Sequence, residues 1–420
     1  MIKRVTIKGY KSFKELSLDL KPIMVIFGPN ASGKSNFLDA LYLISRAVTK
    51  RNLNEAFKGH RGLPLESFYY ADEGYEENLK KQTIGFTFEI DVVLSDSVVS
   101  KVEEIVKAKR RGIDSPEQPK KIITEKRLRY RLEIEGLPET GYLRVMNERL
   151  CAIKANGEEK RRSAFLERQG DRIHLRMEGQ AHPIYHSKGL DHTVISESLY
   201  EPHYPHITAF RMELANWYTY YLEPRVLMRD DVPLSEIESM GPRGENLAAF
   251  LNTLKHKYPK DFDSLNLSLR HILPTEATID IELLKEGRVG LKLSENGLWF
   301  SARLISEGTL RVIGLLAAVH PRNPATLIAF EEPENGIHPV RLKLISEILK
   351  NASQQYGKQI IVTTHSPILP EYFDDKSLFV SCKDNKQTTI KPFSTFGHMF
   401  RRQDIEHALE DRILRGDFGG

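Results

Sequence analysis

The clearest chemical pattern in the sequence is a glycine-rich turn between an apolar strand and an amphipathic helix. Residues 28–35, Gly-Pro-Asn-Ala-Ser-Gly-Lys-Ser, match the phosphate-binding loop G-x-x-x-x-G-K-[ST]. Glycines let backbone N–H groups turn inward around phosphate oxygens, and the N-terminus of the following helix adds partial positive charge. We expect Lys34 to reach the β- and γ-phosphates and the Ser35 hydroxyl to ligate Mg²⁺. The alternative is a glycine-rich turn without a ligand, and the complete match in a strand-to-helix context weighs against it.

Two carboxylates follow a second apolar strand. Residues 326–330 are predicted to form this strand, and Glu331 and Glu332 come directly after it. The carboxyl edge of a parallel sheet is where ligands of α/β folds bind, so both side chains are expected at that edge. Glu331 is expected to hold Mg²⁺, directly or through water, and Glu332 to orient and deprotonate an attacking water. The alternative is a solvated acidic turn, which the nearby phosphate loop makes less attractive.

The roles of His365 and of the helix start at Ser306 and Gly308 depend on the phosphate loop and the two carboxylates. The predicted strand 359–364 ends on His365, which could contact a γ-phosphate or the attacking water. A single histidine at a strand end is more often structural, so its weight depends on the other motifs. Ser306 and Gly308 open a predicted helix, either as an ordinary N-cap or as a second helix N-terminus offered to a nucleotide's terminal phosphate.

The order of predicted elements indicates how these motifs are positioned. A strand, the glycine-rich loop and a helix come early, strand signals return at 84–94 and 128–134, and residues from about 200 to 275 are mainly helical. The last third alternates helix and strand. This order predicts an α/β fold with one parallel-sheet core split by an insertion.

Composition excludes several classes of protein. The chain has 420 residues with 40% hydrophobic residues, enough for a core, and it has no apolar run long enough for a membrane span. Its two cysteines, Cys151 and Cys382, exclude a disulfide framework and a multi-cysteine metal site. The N-terminus lacks the apolar core of a signal peptide. We therefore expect a cytoplasmic protein with no membrane association.

The charge is uneven along the chain. The net charge is +4, yet residues 101–176 carry 20 Lys and Arg against 13 Asp and Glu. Either this excess is a solvated face on a strand-rich insertion, or it contacts a phosphate backbone. For the second case the candidate nucleic-acid contacts are Arg127, Arg129 and Arg131.

Four segments together resemble a known family. GPNASGKSNFLDAL (28–41), LISEGTLR (304–311), AFEEPENGIHP (329–339) and VTTHSP (362–367) resemble the ABC-type ATPases of the SMC and RecF-like kind. The similarity is closest to predicted bacterial ATPases that include OLD-type nuclease ATPase domains and phage-defence ATPases. The resemblance implies an ABC-type P-loop ATPase head, with a split parallel-sheet core, an N-terminal antiparallel β element and an inserted β/helical region.

The resemblance also implies roles for residues. Glu332 would be the catalytic base, His365 the switch histidine, and Ser35 and Glu331 the metal ligands. Ser306 and Gly308 would form the signature motif that completes the ATP site of a second subunit, giving a homodimer that sandwiches ATP. The residues expected to bind ATP are Gly28, Pro29, Asn30, Ala31, Ser32, Gly33, Lys34, Ser35 and Asn36.

The sequence departs from the family in three places: at Glu331, at His338 and in the lack of a clear Q-loop glutamine, for which Gln82 is the candidate. Glu331 stands where many relatives have Asp, so its contact to Mg²⁺ can differ by one methylene. His338 lies where transporter-type ATPases have an Asp.

The motifs predict a division of the chain and two functions. We expect hydrolysis of ATP to drive genome maintenance or anti-phage defence on DNA. The alternative is a nucleotide-gated sensor or scaffold that holds a separate effector, such as a nuclease or toxin, since the part after His365 is too short for the nuclease domain of OLD-type enzymes. The expected parts are 1–95 (first half of the ATPase head), 96–205 (basic insertion), 206–300 (mainly helical lid), 301–380 (second half of the head) and 381–420 (C-terminal tail).

Overall fold

The computed structural model describes residues 1–110, 121–178, 183–273 and 276–396. Part of the basic insertion and most of the predicted C-terminal tail therefore lie outside the described residues. None of the helices in the described ranges has the length and apolar character that a membrane crossing requires. The α-helices are α1 (Lys34–Thr49), α2 (Leu53–Phe57), α3 (Tyr75–Leu79), α4 (Asp96–Arg110), α5 (Pro205–Ala215), α6 (Leu247–Lys257), α7 (Pro259–Ile272), α8 (Glu307–Val319) and α9 (Leu342–Gln354).

The strands build three separate sheets. In chain order they are β1 (Ile2–Tyr10), β2 (Phe13–Asp19), β3 (Ile23–Phe27), β4 (Ile84–Val93), β5 (Arg127–Leu137), β6 (Tyr142–Ile153), β7 (Glu159–Gln169), β8 (Arg172–Leu175), β9 (Ile184–Ser187), β10 (Trp217–Tyr220), β11 (Val232–Pro233), β12 (Thr278–Leu284), β13 (Arg288–Glu295), β14 (Leu298–Ser301), β15 (Leu327–Glu331), β16 (Gln359–Thr364), β17 (Leu378–Asp384) and β18 (Gln387–Pro392).

The central sheet has six strands in the order β10-β15-β16-β3-β17-β18. All neighbours are parallel except β17 and β18, which pair antiparallel. Every residue of β3, β15 and β16 is buried, because helices or a second sheet cover both faces. β3 lies early in the chain while its neighbours come from the last quarter, so the predicted α/β fold with a split parallel-sheet core is confirmed.

Alternate residues of β3 belong to two hydrophobic cores. Met24 and Ile26 pack in a core shared with the N-terminal sheet and α1, whereas Val25 and Phe27 pack in a core shared with α6 to α9. Successive side chains of a strand point to opposite faces, so the central sheet separates the two cores. The glycine-rich loop at the end of β3 is consequently anchored from both sides.

The second sheet joins the N-terminal strands to the insertion. Its eight strands run in the order β2-β1-β4-β5-β6-β7-β8-β9, with antiparallel neighbours throughout. β4 pairs with both β1 and β5, so hydrogen bonding is continuous across residue 95. Alternating burial along β5 gives this sheet one apolar face toward α1 and α5 and one charged outer face.

The region 206–300 contains strands as well as helices. α5, α6 and α7 account for the predicted helical part, while β10 joins the central sheet and β11 to β14 form the third sheet. Residues 278–284, Thr-Ile-Asp-Ile-Glu-Leu-Leu, begin with the period-two alternation of a strand. α6 and α7 pack on this small sheet, which leads directly into α8.

Candidate functional site

The phosphate loop adopts a backbone that its glycines make possible. Gly28 and Gly33 have φ of 151° and 97°. A Cβ on Gly28 would lie 2.2 Å from Ser381 O, and a Cβ on Gly33 would lie 2.1 Å from Thr388 Oγ1. The same two residues of the β17–β18 hairpin donate hydrogen bonds to Ser32 O, at 3.0 and 2.9 Å. The β17–β18 hairpin therefore supports the loop. Most of this hairpin was assigned from the sequence to the C-terminal tail.

The Lys34 side chain lies inside the phosphate loop. Its Nζ donates to Gly28 O and Pro29 O, both at 2.8 Å, and the residue is only 4% exposed. Burial lowers the pKa of Lys34 to about 8, although nearby carboxylates, Glu332 first among them, act in the opposite direction. A buried ammonium held by carbonyl groups can exchange these partners for an anion at small cost in desolvation.

The loop also contains residues that face away from its hollow. Asn36, predicted to bind ATP, donates from Nδ2 to Ser12 Oγ at 2.8 Å. Asn30 and Ala31 are exposed at the rim, and Ala31 has a left-handed backbone with φ of 60°.

Glu331 is the meeting point of the loop and the acidic strand end. The carboxylate is 6% exposed and accepts hydrogen bonds from Ser35 Oγ and from both terminal nitrogens of Arg61. The Arg61 contacts are 2.9 Å from Nη1 to Oε1 and 2.5 Å from Nη2 to Oε2. The structure therefore brings Ser35 and Glu331 together, as the motifs predicted, and adds a guanidinium that sequence reasoning missed.

Arg61 is held by a second carboxylate. Its Nε donates to Asp39 Oδ1 at 3.2 Å, and Lys11 Nζ donates to Asp39 Oδ2 at 2.6 Å and to Arg61 O at 3.0 Å. Two signals could have found this group. Asp39 interrupts the buried face of α1, and Arg61 lies between Gly59 and Gly62, both with positive φ.

Glu332 has an unusual backbone and two side-chain partners. Its φ is 48°, and its N–H donates to Thr363 O at 2.8 Å, which fixes the turn onto the neighbouring strand. One carboxylate oxygen contacts His365 Nε2, and the other accepts from Asn335 Nδ2 at 2.6 Å. A left-handed conformation costs a residue with a side chain about 1 kcal/mol, a strain typical of functional sites. Asn335 lies within the family-like segment 329–339, but no role was assigned to it from the sequence.

A third carboxylate lies buried beside this pair. Glu334 accepts a hydrogen bond from Thr364 Oγ1, while its Oε2 has no hydrogen-bond partner among the described residues. Burial raises the pKa of Glu334, and the Thr364 hydrogen bond acts against that rise. Glu331, Glu332 and Glu334 therefore all lie close enough to Lys34 to act on its charge.

The predicted signature residues lie at the start of α8. Ser306 caps this helix, accepting from Thr309 N at 3.2 Å and donating to Thr309 Oγ1 at 2.9 Å. A cavity of about 400 Å³ lies beside Ser306, and none of the described residues that line it belongs to 28–36. Gly308 packs against the backbone of Gly336, just beyond the acidic strand end.

The three candidate arginines of β5 lie on the outer face of the eight-stranded sheet. Arg129 forms a two-point ion pair with Asp91, at 2.6 and 2.7 Å, and Arg131 donates to Glu133 at 2.9 and 2.6 Å. Arg127 is exposed at the start of the strand. The structure therefore gives two of these arginines intramolecular carboxylate partners.

Comparisons with known proteins match both halves of the chain. Residues 1–163 match a family described as an AAA ATPase domain, and residues 208–369 match one described as an AAA domain, putative AbiEii toxin, type IV TA system.

Curated relatives are similar over shorter stretches. The chromosome partition protein Smc of Methanocaldococcus jannaschii is 33% identical over 94 residues, which cover 20% of this chain and 8% of that protein. The DNA replication and repair protein RecF of Phocaeicola vulgatus is 32% identical over 83 residues, covering 19% and 22%. The matched stretches thus span less than a quarter of these relatives.

A solved structure shares the fold. It is described as the SmcHead bound to the C-winged helix domain of ScpA, and it matches with a TM-score of 0.55 at 13% identity, covering 93% of this chain and 97% of that one. The two ATPase-domain families and the Smc and RecF relatives fit an ABC-type ATPase of the SMC and RecF-like kind, and the solved structure shows that the chain has the fold of an SMC head.

Proposed function

We propose that this ATPase binds ATP with Mg²⁺ at residues 28–36 and hydrolyses it in a homodimer that encloses two nucleotides. The observation that carries the proposal is the convergence of the phosphate loop, the acidic end of β15 and the histidine after β16. These three features follow neighbouring parallel strands, whose carboxyl ends share one edge of the sheet.

In this proposal the loop residues bind and orient the phosphates. Backbone N–H groups of residues 28–33, other than Pro29, and the N-terminus of α1 face the phosphate oxygens. Lys34 moves its ammonium from the carbonyls of Gly28 and Pro29 to the β- and γ-phosphates, which carry far more negative charge.

The donor set beside the loop fits Mg²⁺. Ser35 and Glu331 are hard oxygen donors and already share a hydrogen bond, so one small cation could contact both. When bound, Mg²⁺ would neutralise charge on the transferring phosphate.

Glu332 is the proposed general base. Asn335 and His365 each contact one of its oxygens, which fixes the carboxylate plane at the sheet edge. From this position Glu332 can accept the proton of a water that attacks the γ-phosphate. His365, 39% exposed, is placed to contact the same water or phosphate.

The dimer would supply the last part of the site. Ser306 and Gly308 lie at the start of α8, and none of the described residues that line the cavity beside Ser306 belongs to 28–36, which supports their use by a second chain. The partial positive charge of the α8 N-terminus would then face the γ-phosphate of the partner's nucleotide.

Association with DNA is the proposed setting. The relatives are named for chromosome partition and for DNA replication and repair, and these names support genome maintenance or anti-phage defence. The alternative is a nucleotide-gated sensor or scaffold that releases a separate effector. The family description of a putative toxin from a toxin–antitoxin system favours that alternative.

ATP binding is tested by replacing the loop lysine. Lys34→Ala should abolish binding of a fluorescent ATP analogue, because no other described ammonium lies within this loop. Lys50→Ala, just beyond the other end of α1, is the matched control and should bind normally. Wild-type affinity in Lys34→Ala protein with an unchanged melting temperature would place the nucleotide elsewhere.

A further inference from the structure

We propose that Arg61 is an exchangeable counter-ion of Glu331, which holds this carboxylate while the site lacks nucleotide and releases it when ATP and Mg²⁺ bind. The inference rests on the proposed function, because it concerns the same carboxylate. It assigns a role to a loop residue that none of the sequence motifs includes.

Both proposed metal ligands are engaged by protein groups. Glu331 is almost fully buried and uses both oxygens on the Arg61 fork, and Ser35 donates to one of the same oxygens. A buried carboxylate without a partner is strongly unfavourable, so a cation is required here in every state of the site. Arg61 provides that cation from within the chain.

Arg61 can leave Glu331 without losing every partner. Its Nε is bound to Asp39, which Lys11 also holds, so the guanidinium would stay paired on one side after release. The Arg61 side chain is 50% exposed, so its terminal nitrogens can turn toward solvent while Nε stays on Asp39.

The backbone near Arg61 combines an anchor with two permissive residues. His60 Nε2 lies 2.6 Å from Tyr10 OH in the buried interior, so the loop itself is fixed at that point. Gly59 and Gly62, with φ of 79° and 82°, flank this short segment. Motion is thereby confined to the Arg61 side chain and its immediate backbone.

The exchange makes a quantitative prediction about coupling between Mg²⁺ and nucleotide. In the wild type, part of the binding energy of ATP with Mg²⁺ is used to break the Arg61 fork. Removing Arg61 removes this competitor, and it also leaves Glu331 to repel phosphates when Mg²⁺ is absent. Both effects raise the ratio of the ATP dissociation constant in EDTA to that in Mg²⁺.

The experiment measures that ratio with a fluorescent ATP analogue for wild type, Arg61→Ala, Arg61→Lys and Arg322→Ala. Arg322 is the matched control, because its side chain is also 50% exposed and pairs with a single aspartate, Asp261. We expect the ratio to rise about tenfold or more in Arg61→Ala, the worth of a two-point charged hydrogen bond, and to stay unchanged in Arg322→Ala. Arg61→Lys keeps the charge without the fork and should lie between them.

A second readout needs no nucleotide. Mg²⁺ alone should raise the melting temperature of Arg61→Ala more than that of wild type, because Glu331 then lacks its internal partner. An unchanged dissociation-constant ratio in Arg61→Ala overturns the exchange, and equal weakening in both buffers would make Arg61 a phosphate contact instead. If Arg61→Ala does not fold, the ratio in Arg61→Lys decides. Failure of the wild type to bind the analogue would refute the proposed function rather than this inference.

Discussion

At the scale of single residues, the proposed role of Glu332 as base depends on how firmly its carboxylate is held. Its left-handed backbone, the N–H bond to Thr363 O and the two side-chain contacts all fix one orientation. A base held in this way needs little reorganisation when water attacks phosphate. The backbone strain is small beside the benefit of a fixed carboxylate.

We therefore expect Glu332→Gln to bind ATP normally and to lose hydrolysis by at least about 100-fold, because the amide cannot accept the proton. Phosphate release and binding of the fluorescent analogue check the two parts separately. With ATP and Mg²⁺ the variant should elute as a dimer of the 48.2 kDa chain, measured by light scattering.

Two further variants control the Glu332 experiment. Glu347→Gln, on the exposed face of α9, should hydrolyse at the wild-type rate. Adding Ser306→Arg to Glu332→Gln should abolish the ATP-dependent dimer if the signature acts on the partner's nucleotide. Hydrolysis at the wild-type rate by Glu332→Gln would exclude Glu332 as the base.

The residues that sequence reasoning placed together share a local rule. Lys34, Glu331 and His365 follow apolar strands, and parallel strands bring such ends to one edge. Arg61 and Asn335 follow no such rule, because each lies in an irregular segment and meets its carboxylate only in the folded chain.

At the scale of elements, α8 is the connection between the proposed signature and the acidic strand end. A Cβ on Gly308 would lie 2.5 Å from Gly336 O, so the helix and the segment after β15 touch backbone to backbone. Movement of one element must therefore be passed to the other. This contact places the start of α8 against the segment that follows Glu332, the proposed base, while its N-terminus is proposed to serve a partner.

Replacing Gly308 tests that contact. We expect Gly308→Ala to destabilise the protein by about 1–3 kcal/mol, because two backbone segments must separate. Gly314→Ala, in the same helix, is the control, since its Cβ would meet only the flexible end of Met228 at 2.5 Å and alanine favours the helix. Chemical denaturation measures the free energy of unfolding of both variants. Equal stability of the two would show that the two backbone segments separate without cost.

Element prediction succeeded where the sequence pattern was strong. β3 and β15 are short runs of almost only apolar residues, and β16 has an apolar centre at 360–362, which is typical of buried parallel strands. The β11–β14 sheet was not predicted because β11 and β14 have only two and four residues, and because the neighbouring helical periodicity dominates the region. The pairing of β17 beside β3 has no local signal at all.

At the scale of the whole molecule, many basic side chains of the eight-stranded sheet form ion pairs with neighbouring carboxylates. The positive local charge predicted from sequence is real, but many basic side chains on this sheet have carboxylate partners. These pairs reduce the field available to attract a nucleic acid. They are Arg129–Asp91, Arg131–Glu133, Arg144–Glu135, Arg149–Glu159 and Lys160–Glu125.

Charge reversal can separate the structural from the DNA-binding role of these arginines. If duplex DNA contacts this face, Arg127→Glu should weaken binding and lower the slope against salt concentration by about 1, without changing stability. Arg129→Glu should instead cost about 3 kcal/mol of stability, because Asp91 is 8% exposed and loses its partner. Fluorescence anisotropy and denaturation measure the two effects, and duplex binding that is indifferent to Arg127→Glu would remove this face from the DNA proposal.

The support of the phosphate loop by the β17–β18 hairpin has a consequence for synthesis. Ser32 O is bonded by Ser381 and Thr388, which lie 349 and 356 residues later in the chain. The ribosome therefore synthesises the loop long before it synthesises the residues that hold the loop in shape. Nascent chains that stop short of Thr388 would lack this support, so we expect the loop to reach its final shape only after the β17–β18 hairpin has been made.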